Sequence, residues 1–119
     1  KYIKSICNNL PCPDCSKHST ETLKKFNLNK KINSKEYLKI FLFEFHNLVN
    51  MKKKQKISEL SVLNDYEKAN FQRILTYWYN TFKIPGIEKN RMADYSAIKY
   101  CKSQFIKYIK NNYHKFNWN

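Results

Sequence analysis

The chain has 119 residues, of which 23 are Lys or Arg and 9 are Asp or Glu, giving a formal net charge of +14. That length allows one modest core, and a 16% aromatic content supplies material to fill it. One Gly and three Pro are too little punctuation for strands joined by tight turns. The composition therefore predicts an all-α protein, and no apolar run approaches the roughly 18 residues that a transmembrane helix needs.

No signal peptide is read at the start. "KYIKSICNNL" reads as a helix entered midway, so a segment upstream of Lys1 is expected. Tyr2, Ile3, Ile6, Cys7 and Leu10 recur at helical spacing, as a buried stripe would. Pro11 ends that helix. Pro13 suits the first turn of the next, where its missing N–H costs nothing. This second helix is expected to reach about Phe26, with "NLNKKIN" as the following loop.

Ser34 is the next N-cap, without a full capping box because Tyr37 stands at N3. From there "YLKIFLFEFHNLV" is apolar nearly all round, which predicts the central helix of a bundle. Ser58 is the following N-cap. Glu59 and Asp65 near the start, with Arg73 and Lys83 near the end, have the polarity a helix dipole favours. Leu60, Leu63, Ala69, Phe71, Ile74, Leu75 and Trp78 carry that helix's stripe to Phe82. "KIPG" breaks the chain at 83–86, and a last helix over about 89–113 gives five helical segments in all.

The lysines are spread along the whole chain and accompany abundant Asn, Ile and Tyr, the composition expected of an A/T-rich coding sequence. A solvated basic surface accounts for this pattern, with a polyanion-binding face as the alternative reading.

The chemistry-bearing stretch is "LPCPDCSKH", residues 10–18. Cys12 and Cys15 stand three apart at a helix start, where orphan N–H groups and the helix dipole favour a thiolate. Asp14 between them opposes that effect slightly. On spacing alone the pair is a redox dithiol, half of a metal site completed by His18 and His46, or two small structural residues. A second pair at zinc-finger spacing is absent.

About thirty residues downstream stands "FEFHNLVN", residues 43–50. His46, Asn47, Asn50 and Lys54 fall at i, i+1, i+4 and i+8, one face of a continuing helix. A histidine and two amides on an oily helix are costly unless something bonds to them. A helix end fraying into solvent at "NMKKKQK" is the plainer reading.

In this order and separation the two motifs resemble the Erv/ALR family of FAD-linked sulfhydryl oxidases, and most of all the forms encoded by large DNA viruses. The resemblance covers roughly residues 1–82. It implies a four- or five-helix bundle over residues 1–83, with 84–119 as a C-terminal helical extension. Cys15 would lie against the flavin ring, and Cys12 would exchange disulfides with a protein thiol substrate or a thioredoxin-like shuttle. His46, Asn47 and Asn50 would line FAD, mainly its adenine and ribose. Electrons would pass through FAD to O₂, giving hydrogen peroxide. The resemblance further implies a homodimer, with no metal, membrane or nucleic-acid partner.

Two departures stand out. The family's Leu-Gly/Asn-Lys ending, whose lysine approaches the FAD phosphates, places Gln55 at the lysine's offset; Lys54 is assigned instead because it shares the helical face. The family's first helix, with its Trp-Gly and Trp-x-x-x-His elements, has no counterpart here. Outside the motifs, Cys7 and Cys101 are expected to be core residues, His18 to lie on a helix surface, and His114 to have no specific role. The rival function is a non-catalytic basic helical module binding nucleic acid or protein, with a zinc module third.

Overall fold

The computed structural model describes residues 1–26 and 32–118. Among these are six α-helices and no strand. They are α1 (Tyr2–Asn8), α2 (Pro13–Lys24), α3 (Lys35–Lys52), α4 (Val62–Glu67), α5 (Phe71–Thr81) and α6 (Met92–Asn111). Single 3₁₀ turns at Lys89–Arg91 and Tyr113–Lys115 bracket α6. The all-α class follows, and most of the "NLNKKIN" loop lies outside the described residues.

The chain forms two compact units, residues 1–18 with 70–119, and residues 19–69. In the first, Phe82, Ile84, Ile98 and Cys101 are buried together, with Ile6, Leu10, Trp78 and Tyr95 packed against them. An aromatic chain extends this core: Tyr2 lies 5.9 Å from Phe105 and 4.6 Å from Tyr108, and Trp78 meets Phe105 edge-on at 5.1 Å. Phe71 stacks on Phe116 at 4.9 Å. The helix after "KIPG" therefore packs on α1. None of these rings is fully buried, so each contributes only part of the roughly 1.5–3 kcal/mol of a fully buried side chain. Cys7 and Cys101 are both buried, as expected, and Ser5 Oγ lies 3.4 Å from Cys101 Sγ.

"KIPG" turns through Gly86, whose φ of +71° suits a residue without a Cβ. The Tyr95 hydroxyl pins the turn, donating to Gly86 O at 2.8 Å and accepting from Glu88 N–H at 2.9 Å.

In the second unit Ser34 caps α3 by accepting Tyr37 N–H at 3.2 Å. Phe41 and Phe45, one turn apart, are buried, and Phe26 meets Phe41 edge-on at 5.1 Å. The rest of α3 departs from the central-helix expectation: Tyr37, Ile40, Leu48 and Met51 are exposed. Leu38, Leu42, Phe43 and Val49 are half-buried, and Phe41 and Phe45 are the side chains of α3 that are buried among the described residues.

The single helix expected from Ser58 to Phe82 is two helices, and Ser58 caps neither. α4 closes with 3₁₀-type bonds from Lys68 N–H to Asp65 O and Ala69 N–H to Tyr66 O. Asn70 then starts α5 afresh, its side chain accepting Arg73 N–H at 3.0 Å. A strong N-cap residue mid-stripe outweighs the continuity of the apolar pattern.

Candidate functional site

Cys12 is the N-cap of α2. Its carbonyl accepts Ser16 N–H at 2.9 Å, and its Sγ accepts Cys15 N–H at 3.3 Å. A sulfur thus takes the place that Ser, Thr or Asp oxygen fills in most N-caps. Pro13 at the first helical position has no N–H to offer, so the orphan donors near the sulfur belong to Asp14 and Cys15.

The two cysteines are unequal. Cys12 is exposed and Cys15 half-buried, and none of the four cysteines is in a disulfide. The Cys15 thiol, followed by the Cys15 N–H, holds the Cys12 thiol below its ordinary range, and the Asp14 N–H adds to this. Slight burial and the Asp14 carboxylate push the other way. The turn before Cys12 is tied down. Ser16 Oγ donates to Cys7 O at 2.8 Å and accepts Leu10 N–H at 3.2 Å. Arg91 Nη2 donates to Pro11 O at 3.0 Å.

The second motif lies in the other unit, on the last turns of α3. His46 is exposed, with Nδ1 2.9 Å from Leu42 O. A carbonyl can only accept, so Nδ1 carries the proton, which leaves Nε2 turned to solvent as the ring's other polar atom. Asn47 is half-buried and spends both amide atoms on one residue: Nδ2 donates to Ser58 O at 3.1 Å, and Oδ1 accepts Ser58 N–H at 2.9 Å. That pair draws the chain after α3 back against the helix.

Asn50 closes the helix through its backbone, its carbonyl accepting Gln55 N–H at 2.8 Å while Met51 O accepts Lys54 N–H at 3.1 Å. These two bonds, with φ +54° at Lys54, make a Schellman C-cap. Lys54 therefore stands beyond the helix end at Lys52 and does not share the helical face for which it was chosen. Its backbone is left-handed, the conformation that Gly adopts most readily.

The structure thus places Cys12 with Cys15 in one unit, and His46, Asn47, Asn50 and Lys54 in the other. His18 is half-buried rather than on the surface, and His114 is exposed. Among the described residues no three His, Cys, Asp or Glu side chains come together as a metal site. No helix among them is long and apolar enough to cross a membrane. A groove of about 510 Å³ runs along α5 between Asn70 and Asn80 and includes none of the motif residues.

Three residues of the site escape a sequence reading. Ser16 acts through local bonds that many serines could make, and Ser58 through backbone groups that every non-proline residue carries. Arg91 carried a signal, since Glu88 and Asp94 stand three residues to either side of one of the chain's two arginines.

Among the described residues the chain is all-helical, with a Cys-x-x-Cys at a helix start and a His-Asn-x-x-Asn at a helix end, the arrangement on which the resemblance to flavin-linked dithiol proteins rests. The comparisons agree. The profile of the Erv1 / Alr family matches residues 1–82, and the chain belongs to that family. It is also 32% identical over 66 residues to "Putative FAD-linked sulfhydryl oxidase 096R" of Invertebrate iridescent virus 3. That match covers 55% of this chain but 45% of the viral protein, so the chain spans about half the length of its curated relative. No solved structure matches the chain.

Proposed function

We propose that this chain is an FAD-dependent thiol oxidase that forms disulfide bonds in protein substrates. The observation that carries the reading is the unequal dithiol: an exposed Cys12 sulfur held by Cys15 N–H at a helix start, in a chain of the Erv1 / Alr family. The proposed division is a catalytic core over residues 1–83 and an extension over 84–119.

From the oxidised Cys12–Cys15 disulfide, a substrate thiolate attacks the exposed Cys12 sulfur and Cys15 leaves as a thiolate. A second substrate thiolate then attacks the substrate sulfur of the mixed disulfide and expels Cys12. The substrate has lost two electrons and two protons, and Cys12 and Cys15 have become thiols. The N–H bond to Cys12 Sγ makes this sulfur a good leaving group in that second exchange.

The residues of the second motif suit FAD in their chemistry. His46 Nε2 can accept from the adenine amino group or a ribose hydroxyl, the Asn50 amide can do either, and Lys54 offers a cation for the phosphates. Asn47, already spent on Ser58, serves by holding the segment that carries Lys54 against α3. When bound, the flavin would supply a two-electron acceptor for the dithiol and a route to O₂, which it reduces to hydrogen peroxide. The proposed assembly is a homodimer, which would give the exposed Tyr37, Ile40, Leu48 and Met51 of α3 an apolar partner.

The test uses the full-length protein. It should be yellow, with a flavin band near ~450 nm, and should consume O₂ with a reduced protein or dithiol substrate. Cys15→Ala should abolish turnover while helix content stays unchanged. A colourless protein whose polyanion binding falls steeply with salt would replace this reading with the basic-module rival.

A further inference from the structure

We propose that Arg91, outside the segment the family profile matches, is a positioning residue for the reactive sulfur, holding the Pro11–Cys12 backbone in the geometry that lets Cys12 cap α2. The proposal rests on the reading of Cys12 as the exchange thiol and adds a residue to it from the C-terminal extension.

Arg91 closes the 3₁₀ turn before α6, and its side chain is only 13% exposed. Its guanidinium is used on three sides. Nε donates to Asp94 Oδ2 at 3.0 Å, Nη1 lies 3.6 Å from Glu88 Oε2, and Nη2 donates to Pro11 O at 3.0 Å. Two carboxylates fix the fork, and the remaining donor holds one carbonyl. Lysine could not reproduce this, because a single ammonium has no rigid array of donors.

The turn that carries Arg91 is itself held. Tyr95, one turn into α6, bonds both Gly86 O and Glu88 N–H. A continuous path thus runs from Tyr95 through the 86–91 turn and Arg91 to Pro11, the residue bonded to Cys12. Ser16 secures the same turn from the helix side through Cys7 O and Leu10 N–H. Pro11 O belongs to the peptide that leads into Cys12, and it is taken by a charge-assisted bond, roughly twice as strong as a neutral one.

The consequence for chemistry is geometric. The Cys12 sulfur stays reactive only while it lies within reach of Cys15 N–H, and that requires the backbone at Cys12 to keep its angle to α2. Without Arg91 the Pro11 carbonyl turns to water and the cap loosens. The titratable groups that act on the Cys12 sulfur are the Cys15 thiol and the Asp14 carboxylate, while Glu88 and Asp94 act on Arg91.

The experiment measures the rate of Cys12 alkylation by iodoacetamide against pH in the reduced full-length protein, with the labelled peptide identified by mass. It needs neither flavin nor turnover, so it stands apart from the oxidase assay. Arg91→Met, Arg91→Lys and Asp94→Asn should each raise the midpoint of the profile. Arg91→Met should also slow labelling at neutral pH by about threefold or more, the effect of half a pKa unit. If Arg91→Met fails to fold, the other two variants decide. A wild-type profile in the folded variants overturns the proposal. Full rescue by Arg91→Lys also overturns it, since charge alone would then suffice. A shifted profile in a chain without oxidase turnover would keep the brace and sink the oxidase reading instead.

Discussion

The backbone N–H of Cys15 donates to Cys12 Sγ at 3.3 Å, so one sulfur is at once a helix cap and the proposed exchange thiol. The two roles separate by mutation. Cys12→Ser keeps an acceptor at the N-cap and should melt close to the wild type. Cys12→Ala should lose about 1 kcal/mol of stability, the usual loss of a capping side chain. Both should lose dithiol oxidation entirely. Equal melting temperatures for the two variants would show that the sulfur caps nothing.

Charge beside the cap gives a second expectation. The Asp14 carboxylate pushes the Cys12 thiol up against the hydrogen bonds that pull it down. Asp14→Asn should therefore lower it further and speed iodoacetamide labelling of Cys12 at pH 7. For the wild type, the folded state favours the Cys12 thiolate over the unfolded chain. That contribution to stability is fully present above the ordinary thiol pKa and is lost as pH falls through the depressed value. Denaturant titrations of the reduced protein across that range should show it, and Cys12→Ser should remove it.

Asn47 and Ser58 share two hydrogen bonds in a half-buried setting. Asn47→Ala leaves both backbone groups of Ser58 without their partner and should destabilise by about 1–3 kcal/mol. Asn47→Asp keeps an acceptor for Ser58 N–H but sets a carboxylate against Ser58 O, so it should not rescue. Were Asn47 instead a direct flavin ligand, Asn47→Ala would weaken flavin binding with no change in apoprotein stability.

Lys54 sits at φ +54°, where an ordinary side chain costs about 1–2 kcal/mol and Gly costs little. Lys54→Gly should stabilise the apoprotein by about 0.5–1 kcal/mol, since the freer unfolded chain takes back part of the gain. If Lys54 serves the flavin phosphates, the same change should weaken flavin binding. Stability and affinity would then move in opposite directions. Unchanged affinity would assign the phosphate role to another lysine of the 52–56 run.

The helix class, the break at "KIPG", the helix start at Pro13 and the cap at Ser34 are legible in the sequence, because local rules alone decide them. So is the burial of Cys7 and Cys101, which stand on apolar stripes. The split between α4 and α5 is less visible: the apolar stripe continues through it, and only Asn70, used as a cap, reveals the stop. The end of α3 depends on a Schellman turn with Lys at the left-handed position, which no propensity scale favours. Partners far apart in the chain, such as Arg91 with Pro11, follow from packing that periodicity does not encode. For the site, the residue types were legible, while the unequal standing of Cys12 and Cys15 needed the hydrogen bond between them.

The first compact unit joins residues 1–18 to residues 70–119, and this sets an order of events during synthesis. Its contacts span the chain, with Ser5 meeting Cys101 and Pro11 meeting Arg91. Such long closures form late, and a nascent chain emerges at roughly 5–20 residues per second. Over that interval α1 and the cysteine turn are outside the ribosome without their core or their brace. Cys7 and Cys12 are then both open to oxidants and to other thiols. The dithiol becomes distinct from the structural cysteines only once α6 has been made and docked.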